Sequence, residues 1–283
     1  MAEISAKDVA ALRKVSGAGM MDCKRALEES EGDMEKAKTW LREKGLAAAG
    51  KRAGRAASQG TVDVYVGGGV GAVVELTSET DFVAKGEGFK SAVATLAKQV
   101  AEQGEDIAAK PYAGDAAHTV DEFVKGMAGT LGENIGLGRM ARFEVSSGLI
   151  QGYKHIQAER GMIGVLVELT GVDPADPKAV EVGHDIALHI ASAAPRWVSR
   201  DDVPADVVEA EKAVLENLTR NEGKPEQAIP KIVEGRIGGF FKENCLVEQG
   251  FVREPKVTVG SLISGLGGDA KVSRFARIKV GEE

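Results

Sequence analysis

The sequence predicts an α+β protein in which a small N-terminal helical bundle precedes two related α+β units. Two observations support this prediction. Apolar residues recur at helical spacing through the first 44 residues, whereas short segments of alternating apolar and polar residues begin at residue 61. The strand pattern of residues 71–77 then returns at 164–170, and each copy is followed by a helix. The sequence therefore implies a duplicated unit built from a β-hairpin and helices.

A bundle of three short helices is predicted over residues 1–50. Ser5 is placed to cap the first helix and Asp33 to cap the third, because hydroxyl and carboxylate oxygens accept the free backbone N–H groups of a first turn. Gly45 occupies a position that favours the end of a helix, so the third helix is expected over residues 34–44. A bundle of this size buries little apolar area and is marginal by itself.

Two adjacent methionines, Met20 and Met21, lie at the turn between the first two helices. Adjacent helical side chains point about 100° apart, so at least one of the two should be exposed. Flexible thioether side chains suit a surface that binds another protein. We place Arg13 with them on a predicted docking face. The alternative, in which both methionines belong to the core of the bundle, stays open at this point.

Residues 51–60 have the composition of a linker, and the first α+β unit is predicted over residues 61–145. Its strands at residues 61–66 and 71–77 flank three consecutive glycines, as expected of a β-hairpin. A helix is expected over residues 89–100, where apolar side chains return to helical spacing.

The connection between the second strand and that helix is polar except around one aromatic residue. It contains Thr80, Asp81, Phe82 and Val83. A connection of this kind lies at the surface and often carries function. Phe82 either folds back onto the core or projects as an anchor for another protein, and its position in the sequence does not decide between the two.

The second α+β unit is predicted over residues 146–283. Its hairpin carries His155 beside a loop expected at residues 156–161, which makes this histidine a candidate for contact with a partner. A surface histidine without a role is the other interpretation. Where the first unit has Phe82, the second has residues 171–174 and no aromatic side chain. Features that the two units share are expected to form the scaffold. The segment with Phe82, which occurs in the first unit only, is therefore the better candidate for a binding site.

Two helical runs are expected inside the second unit, over about residues 204–242. Turn-forming residues at 222–225 separate them, so the pattern predicts an inserted antiparallel helical hairpin. Two late strands, at residues 251–255 and 275–280, are expected to complete the unit.

Composition limits the classes of function. The chain has 43 acidic and 36 basic side chains and a net charge of −7, which argues against direct binding of nucleic acid. The two cysteines, Cys23 and Cys245, lack paired spacing, and no apolar run is long enough to cross a bilayer. The first residues do not show the pattern of a signal peptide. We therefore expect a cytoplasmic protein with no membrane partner.

No familiar catalytic or metal-binding pattern is present in the sequence. His184 and His189 are five residues apart, so they diverge around a helix, and there is no Gly-x-Ser-x-Gly motif. We expect no catalytic residue, no metal and no cofactor, and hence no enzyme. An enzyme whose site is assembled in space on the duplicated core is the alternative.

Two segments resemble the signatures of bacterial elongation factor Ts. Residues 80–85, with Phe89 following, are similar to one signature, and residues 16–27 are similar to the other. They occur in the order typical of the family, and the similarity runs from about residue 3 to about residue 281. The resemblance implies a guanine-nucleotide exchange factor for elongation factor Tu, which it would bind with GDP and without nucleotide. Residues 132–139 resemble a further segment of the family, which usually ends in two arginines; Arg139 is the first, and Met140 replaces the second.

The resemblance also implies roles for individual parts of the chain. The N-terminal bundle would be a ubiquitin-associated-like module that docks on the GTP-binding domain of the partner. Residues 80–83 would lie beside the magnesium site of the partner, where Asp81 and Phe82 would disturb the ion and the phosphate loop and so release GDP. The hairpin with His155 would touch the third domain of the partner.

Two further arrangements stay open. One is a homodimer formed through the core. The other is a different function, in which the ubiquitin-associated-like module makes the chain an adaptor that binds ribosomes or nascent chains.

Overall fold

The computed structural model describes residues 4–16, 18–49, 52 and 54–282, and its fold is α+β. Three helices form the N-terminal bundle: α1 (Ala6–Ser16), α2 (Met20–Glu29) and α3 (Met34–Ala49). Ser5 caps α1 as expected, because its hydroxyl accepts the Asp8 amide at 3.2 Å. Asp33 caps α3 in the same way, since its carboxylate accepts the Lys36 amide at 3.1 Å. The two caps set where these helices begin.

The first unit contains a three-stranded antiparallel sheet. Its strands are β1 (Gln59–Gly67), β2 (Val70–Ser78) and β5 (Gly136–Glu144), in the order β1–β2–β5. Between β2 and β5 lie the short helix α4 (Asp81–Ala84), helix α5 (Glu87–Gln103), a small hairpin of β3 (Pro111–Tyr112) and β4 (Asp115–Thr119), and helix α6 (Val120–Leu131). The predicted hairpin and the helix after it are present, each a few residues longer than expected.

The second unit contains a sheet of the same kind. Its strands are β6 (Leu149–Gln157), β7 (Arg160–Thr170) and β10 (Lys271–Lys279), in the order β10–β7–β6. The other elements are α7 (Pro177–Ala193), α8 (Ala205–Asn221), α9 (Ile229–Asn244), β8 (Gly250–Phe251), β9 (Glu254–Thr258) and α10 (Val259–Ser264). Helices α8 and α9 pack against each other as the predicted helical hairpin.

Two predictions about the second unit are wrong in detail. Residues 251–255 do not join the main sheet, because Phe251 pairs with Glu254 in a separate two-stranded hairpin. The expected loop at 156–161 is a two-residue turn, because the strand pairing of β6 with β7 continues to the very end of the hairpin.

The duplication extends to buried polar contacts. In each sheet, the second strand of the hairpin lies at the centre and pairs with a later strand. Glu75 on β2 meets Arg139 on β5 at 3.0 Å, and Glu168 on β7 meets Arg274 on β10 at 2.8 Å. Both glutamates are buried, so the arginine in each copy supplies the charge that makes their burial tolerable.

The two units pack sheet against sheet, with helices on each outer face. Along β2, Val74 lies under α5, whereas its neighbour Val73 faces the second sheet, as the period of two in a strand requires. Helix α7 covers the outer face of the second sheet. Gly164 permits the close approach of the sheets, because a Cβ there would lie 2.5 Å from Val73 Cγ2. The result is a four-layer core.

The N-terminal bundle docks on the first unit through helix α6. Helix α3 continues to Ala49, so the predicted helix end at residue 44 is wrong. Gly45 lies inside α3, where it contacts Gly129 of α6, and a Cβ on Gly129 would overlap the Gly45 backbone. The glycine thus serves a close contact between two helices, which explains why it does not act as a helix end.

Candidate partner-binding site

Helix α4 presents Phe82 to solvent. Thr80 caps the helix in an extended conformation, and its hydroxyl accepts the Val83 amide at 3.4 Å. Ala84 is fully buried and fixes the other end of the turn, whereas the Phe82 side chain is 88% exposed. The alternative in which Phe82 folds back onto the core is therefore wrong. We call residues 79–85 the Phe82 loop.

An ion pair lies within the Phe82 loop. The Lys85 ammonium contacts the Asp81 carboxylate at 2.6 Å, one helical turn away. The hydrogen bond from Lys85 lowers the pKa of Asp81 below its ordinary value of 3.8, and the nearby charge of Arg160 lowers it further. Asp81 is therefore ionised at neutral pH and carries a negative charge next to the exposed ring.

Two residues that follow α6 hold the Phe82 loop from the side. The Glu133 carboxylate accepts the Thr80 amide at 3.0 Å and also the Thr80 hydroxyl. In return, the Glu79 carboxylate accepts the Asn134 amide at 2.6 Å. Both residues belong to the segment 132–139 that resembles the family, but nothing in the sequence placed them beside the Phe82 loop, because their partners lie more than fifty residues earlier in the chain.

The predicted docking face is exposed on the N-terminal bundle. Met20 is 55% exposed and Met21 is 67% exposed, so the alternative in which both lie in the core is wrong. Arg13 is also exposed. Cys23 and Leu27, which follow on the same helix, fill the core instead. The bundle is thus closed by one face of α2 while the two methionines stay at the surface.

A groove separates the N-terminal bundle from the first unit. Its volume is about 680 Å³, and Val15 and Leu41 line it on the side of the bundle. Val83, Phe89 and Met127 line it on the other side. Val83 belongs to the Phe82 loop, and Val15 lies near the end of α1. The groove therefore runs from the Phe82 loop to the end of α1, a few residues before Met20. Val15 is 67% exposed, although the apolar spacing along the first helix predicts it on the same stripe as the buried Val9 and Leu12.

His155 is exposed on β6, near the end of the second hairpin. The Tyr153 hydroxyl and the Nδ1 atom of His155 are 3.2 Å apart. The hairpin turns at Ala158 and Glu159, whose φ angles of 49° and 65° are unusual for residues with a side chain. Neither position is a glycine, so the sequence does not predict so tight a turn.

The end of this hairpin abuts the first unit close to the Phe82 loop. The Arg160 guanidinium donates to the Gly60 carbonyl at 2.7 Å, and the Lys90 ammonium lies 3.5 Å from the Glu159 carbonyl. Arg160 of the second hairpin is also near enough to Asp81 for its charge to lower the pKa of that carboxylate. His155 itself lies five residues before Arg160, along the same strand pair.

The side chains that commonly hold metal ions do not form a cluster in the described part of the chain. No three of the histidine, cysteine, aspartate and glutamate side chains described there are arranged to hold a metal ion. His189 is buried against Gln249, and burial lowers its pKa. Both cysteines are buried as well. Within the same residues, no helix has the combination of length and apolar character that crossing a membrane demands.

Exposed apolar side chains that gather on one part of a surface mark sites that bind another molecule, and Phe82, Met20 and Met21 are the exposed apolar side chains of the predicted site. The sequence model of the family described as Elongation factor TS matches residues 79–282, more than half of the chain. The chain belongs to the elongation factor Ts family, a family of translation elongation factors.

Relatives named Elongation factor Ts are similar along the whole length. The protein of Acidothermus cellulolyticus is 45% identical over 283 residues and covers 100% of both chains. That of Halothermothrix orenii is 41% identical, over 99% of this chain and 93% of its own. That of Kineococcus radiotolerans is 44% identical, over 99% of this chain and 100% of its own.

Proposed function

We propose that the chain is a guanine-nucleotide exchange factor that binds elongation factor Tu carrying GDP and promotes release of the GDP. In this proposal, Asp81 and Phe82 enter beside the magnesium site of the partner and disturb the residues that hold the ion and the phosphates. GTP can then bind the emptied site. The observation that supports the proposal best is Phe82 itself, an aromatic side chain 88% exposed on a short helix that is anchored at both ends.

The energy needed for exchange sets a condition on the interface. Binding is reciprocal: if the exchange factor weakens nucleotide binding by some factor, nucleotide weakens binding of the exchange factor equally. A factor of about 10⁴ corresponds to roughly 5.5 kcal/mol. Burial of one phenylalanine supplies only about 1.5–3 kcal/mol. Other contacts must therefore hold the Phe82 loop in place, and we assign them to the docking face and to the hairpin with His155.

Binding alone is sufficient for this activity, so the proposal requires no catalytic side chain, metal or cofactor in the chain. The working division is a docking module over residues 1–50, a linker over 51–60, and two core units over 61–145 and 146–283. We place the helical hairpin at about 204–242 outside the contact that drives exchange.

The direct test measures release of fluorescent GDP from elongation factor Tu, with unlabelled nucleotide in excess to prevent rebinding. Addition of the chain should accelerate release in proportion to its concentration until the partner is saturated. An unchanged release rate, together with sedimentation of the chain with ribosomes that lack elongation factor Tu, would instead support the adaptor function.

A further inference from the structure

One carboxylate holds both donors of the residue that caps helix α4. Glu133 accepts the Thr80 amide at 3.0 Å through Oε2 and the Thr80 hydroxyl through Oε1. A hydroxyl has one hydrogen to donate and lone pairs to accept. Because the Thr80 hydroxyl donates to Glu133, its oxygen is left to accept the Val83 amide, as observed. Glu133 thereby sets the orientation of the cap.

A second contact makes this arrangement reciprocal. The Glu79 carboxylate accepts the Asn134 amide at 2.6 Å, and the Asn134 side chain donates to the Arg55 carbonyl at 2.7 Å. Two consecutive residues before α4 are therefore joined to two consecutive residues after α6. A pairing of this kind resists both sliding and rotation of one segment against the other.

Helix α4 depends on this support more than a longer helix would. It has four residues, too few for its internal hydrogen bonds to offset the cost of forming a first turn. Phe82 occupies its second position, and at 88% exposure the ring gains little from packing within its own chain. The direction of the ring must therefore come from the contacts that fix the ends of the turn.

The support comes from the element on which the N-terminal bundle sits. Glu133 follows α6 directly, after Gly132 ends that helix in the left-handed conformation with φ 77°. The same helix meets α3 of the bundle at Gly129 and Gly45. The position of Thr80 is thus tied, through Glu133 and α6, to the position of the docking face.

We propose that Glu133 is a positioning residue, which holds Phe82 at a fixed angle to the docking face so that a partner bound at the bundle meets the ring in the orientation needed for exchange. The inference rests on the proposed function. Glu133 does not touch the nucleotide of the partner in this account; it acts through Thr80.

The test compares Glu133→Gln with Glu181→Gln, the same chemical change at an exposed position on α7. For Glu133→Gln, the maximal rate of GDP release should fall about tenfold, which is the loss expected for one hydrogen bond to a charged group. Binding to nucleotide-free partner should change by less than about threefold, because the docking face is intact. Glu181→Gln should match the wild type in both measurements.

Variants of Thr80 separate positioning from a general structural role. Thr80→Val removes the hydroxyl while keeping the shape of the side chain, and it should resemble Glu133→Gln. In the double variant Thr80→Val with Glu133→Gln, the loss in release rate should be much smaller than the sum of the losses in the two single variants, because both changes break the same contact. Melting temperatures should stay within about 2 °C of the wild type, since the contact lies at the surface.

A second measurement does not depend on exchange at all. Hydrogen exchange of the Val83 amide should be faster in Glu133→Gln and unchanged in Glu181→Gln, because the cap that protects it is loosened. If the wild type accelerates GDP release but Glu133→Gln does so equally well, the positioning role is wrong. If the wild type does not accelerate release, the proposed function fails, and the protection of Val83 still decides whether Glu133 orders the loop.

Discussion

The two α+β units share a scaffold and differ where the chain leaves the central strand. In the first unit, β2 runs into the Phe82 loop, and an aromatic side chain points into solvent. In the second unit, β7 ends at Thr170, Gly171 follows it with φ 73°, and Val172 packs onto the core before α7 begins. The same sheet thus supports a closed connection in one copy and an exposed aromatic side chain in the other.

This difference shows which parts of a duplicated fold are free to acquire a function. The buried pairs of Glu75 with Arg139 and of Glu168 with Arg274 recur because both copies must neutralise a charge on the central strand. No such requirement acts on a connection at the surface. The loop of one copy could therefore gain an extra helix and Phe82 without a change in the core.

The largest effect is expected in the layer that the two units share. Leu166 is fully buried between the sheets, so Leu166→Ala should lower the free energy of unfolding by about 2–5 kcal/mol. Chemical denaturation should show one shifted transition, because both sheets lose contacts. Val214→Ala, at an exposed position on α8, is the control and should have little effect. Two separate transitions would mean that the units do not form a common core.

A smaller and equal effect is expected from the two repeated ion pairs. Arg139→Met and Arg274→Met each leave a buried glutamate without its partner, which should cost about 1–3 kcal/mol, between the values for exposed and buried pairs. Lys98→Met removes an exposed pair with Glu102 and should cost well under 1 kcal/mol. Strongly unequal losses of stability for Arg139→Met and Arg274→Met would contradict the view that the two ion pairs stabilise their units equally.

The smallest effect concerns the charge of the Phe82 loop. Because the folded pKa of Asp81 lies below 3.8, its contact with Lys85 favours the folded state above the unfolded pKa and is lost as pH falls through the folded value. A nuclear magnetic resonance titration should place the midpoint of Asp81 below 3.8. Lys85→Met should raise that midpoint. No change in Lys85→Met would show that the ion pair does not form in solution.

Much of the fold could be predicted because it repeats. The match between residues 71–77 and 164–170 identified the two central strands, and alternation of apolar residues was sufficient to place their hairpins. Gly45 was misleading because glycine both ends helices and lets two helices touch, and the sequence does not show which use applies. Residues 251–255 have strand character, but which strand they pair with is decided in space.

The candidate site was only partly predictable. Phe82 was recognisable as an aromatic residue in a polar connection, yet whether it faced the core depended on how Ala84 and Thr80 anchor the turn. The resemblance of residues 132–139 to the family did not show what Glu133 contacts, because a contact with Thr80 across 53 residues leaves no local pattern. Sequence patterns report on neighbours along the chain, so supporting residues from distant segments appear only in the folded structure.

The measurement that tests the central claim most directly is the rate of GDP release from elongation factor Tu with Phe82→Ala, compared with Val214→Ala on the second unit. Both changes truncate an exposed apolar side chain, so both proteins should unfold within about 0.5 kcal/mol of the wild type. Phe82→Ala should reduce the maximal release rate about tenfold to a hundredfold, which corresponds to the lost burial of one phenylalanine, while Val214→Ala keeps the rate of the wild type. Equal rates for the two folded variants would contradict the claim that the exposed loop of the first unit carries the exchange function.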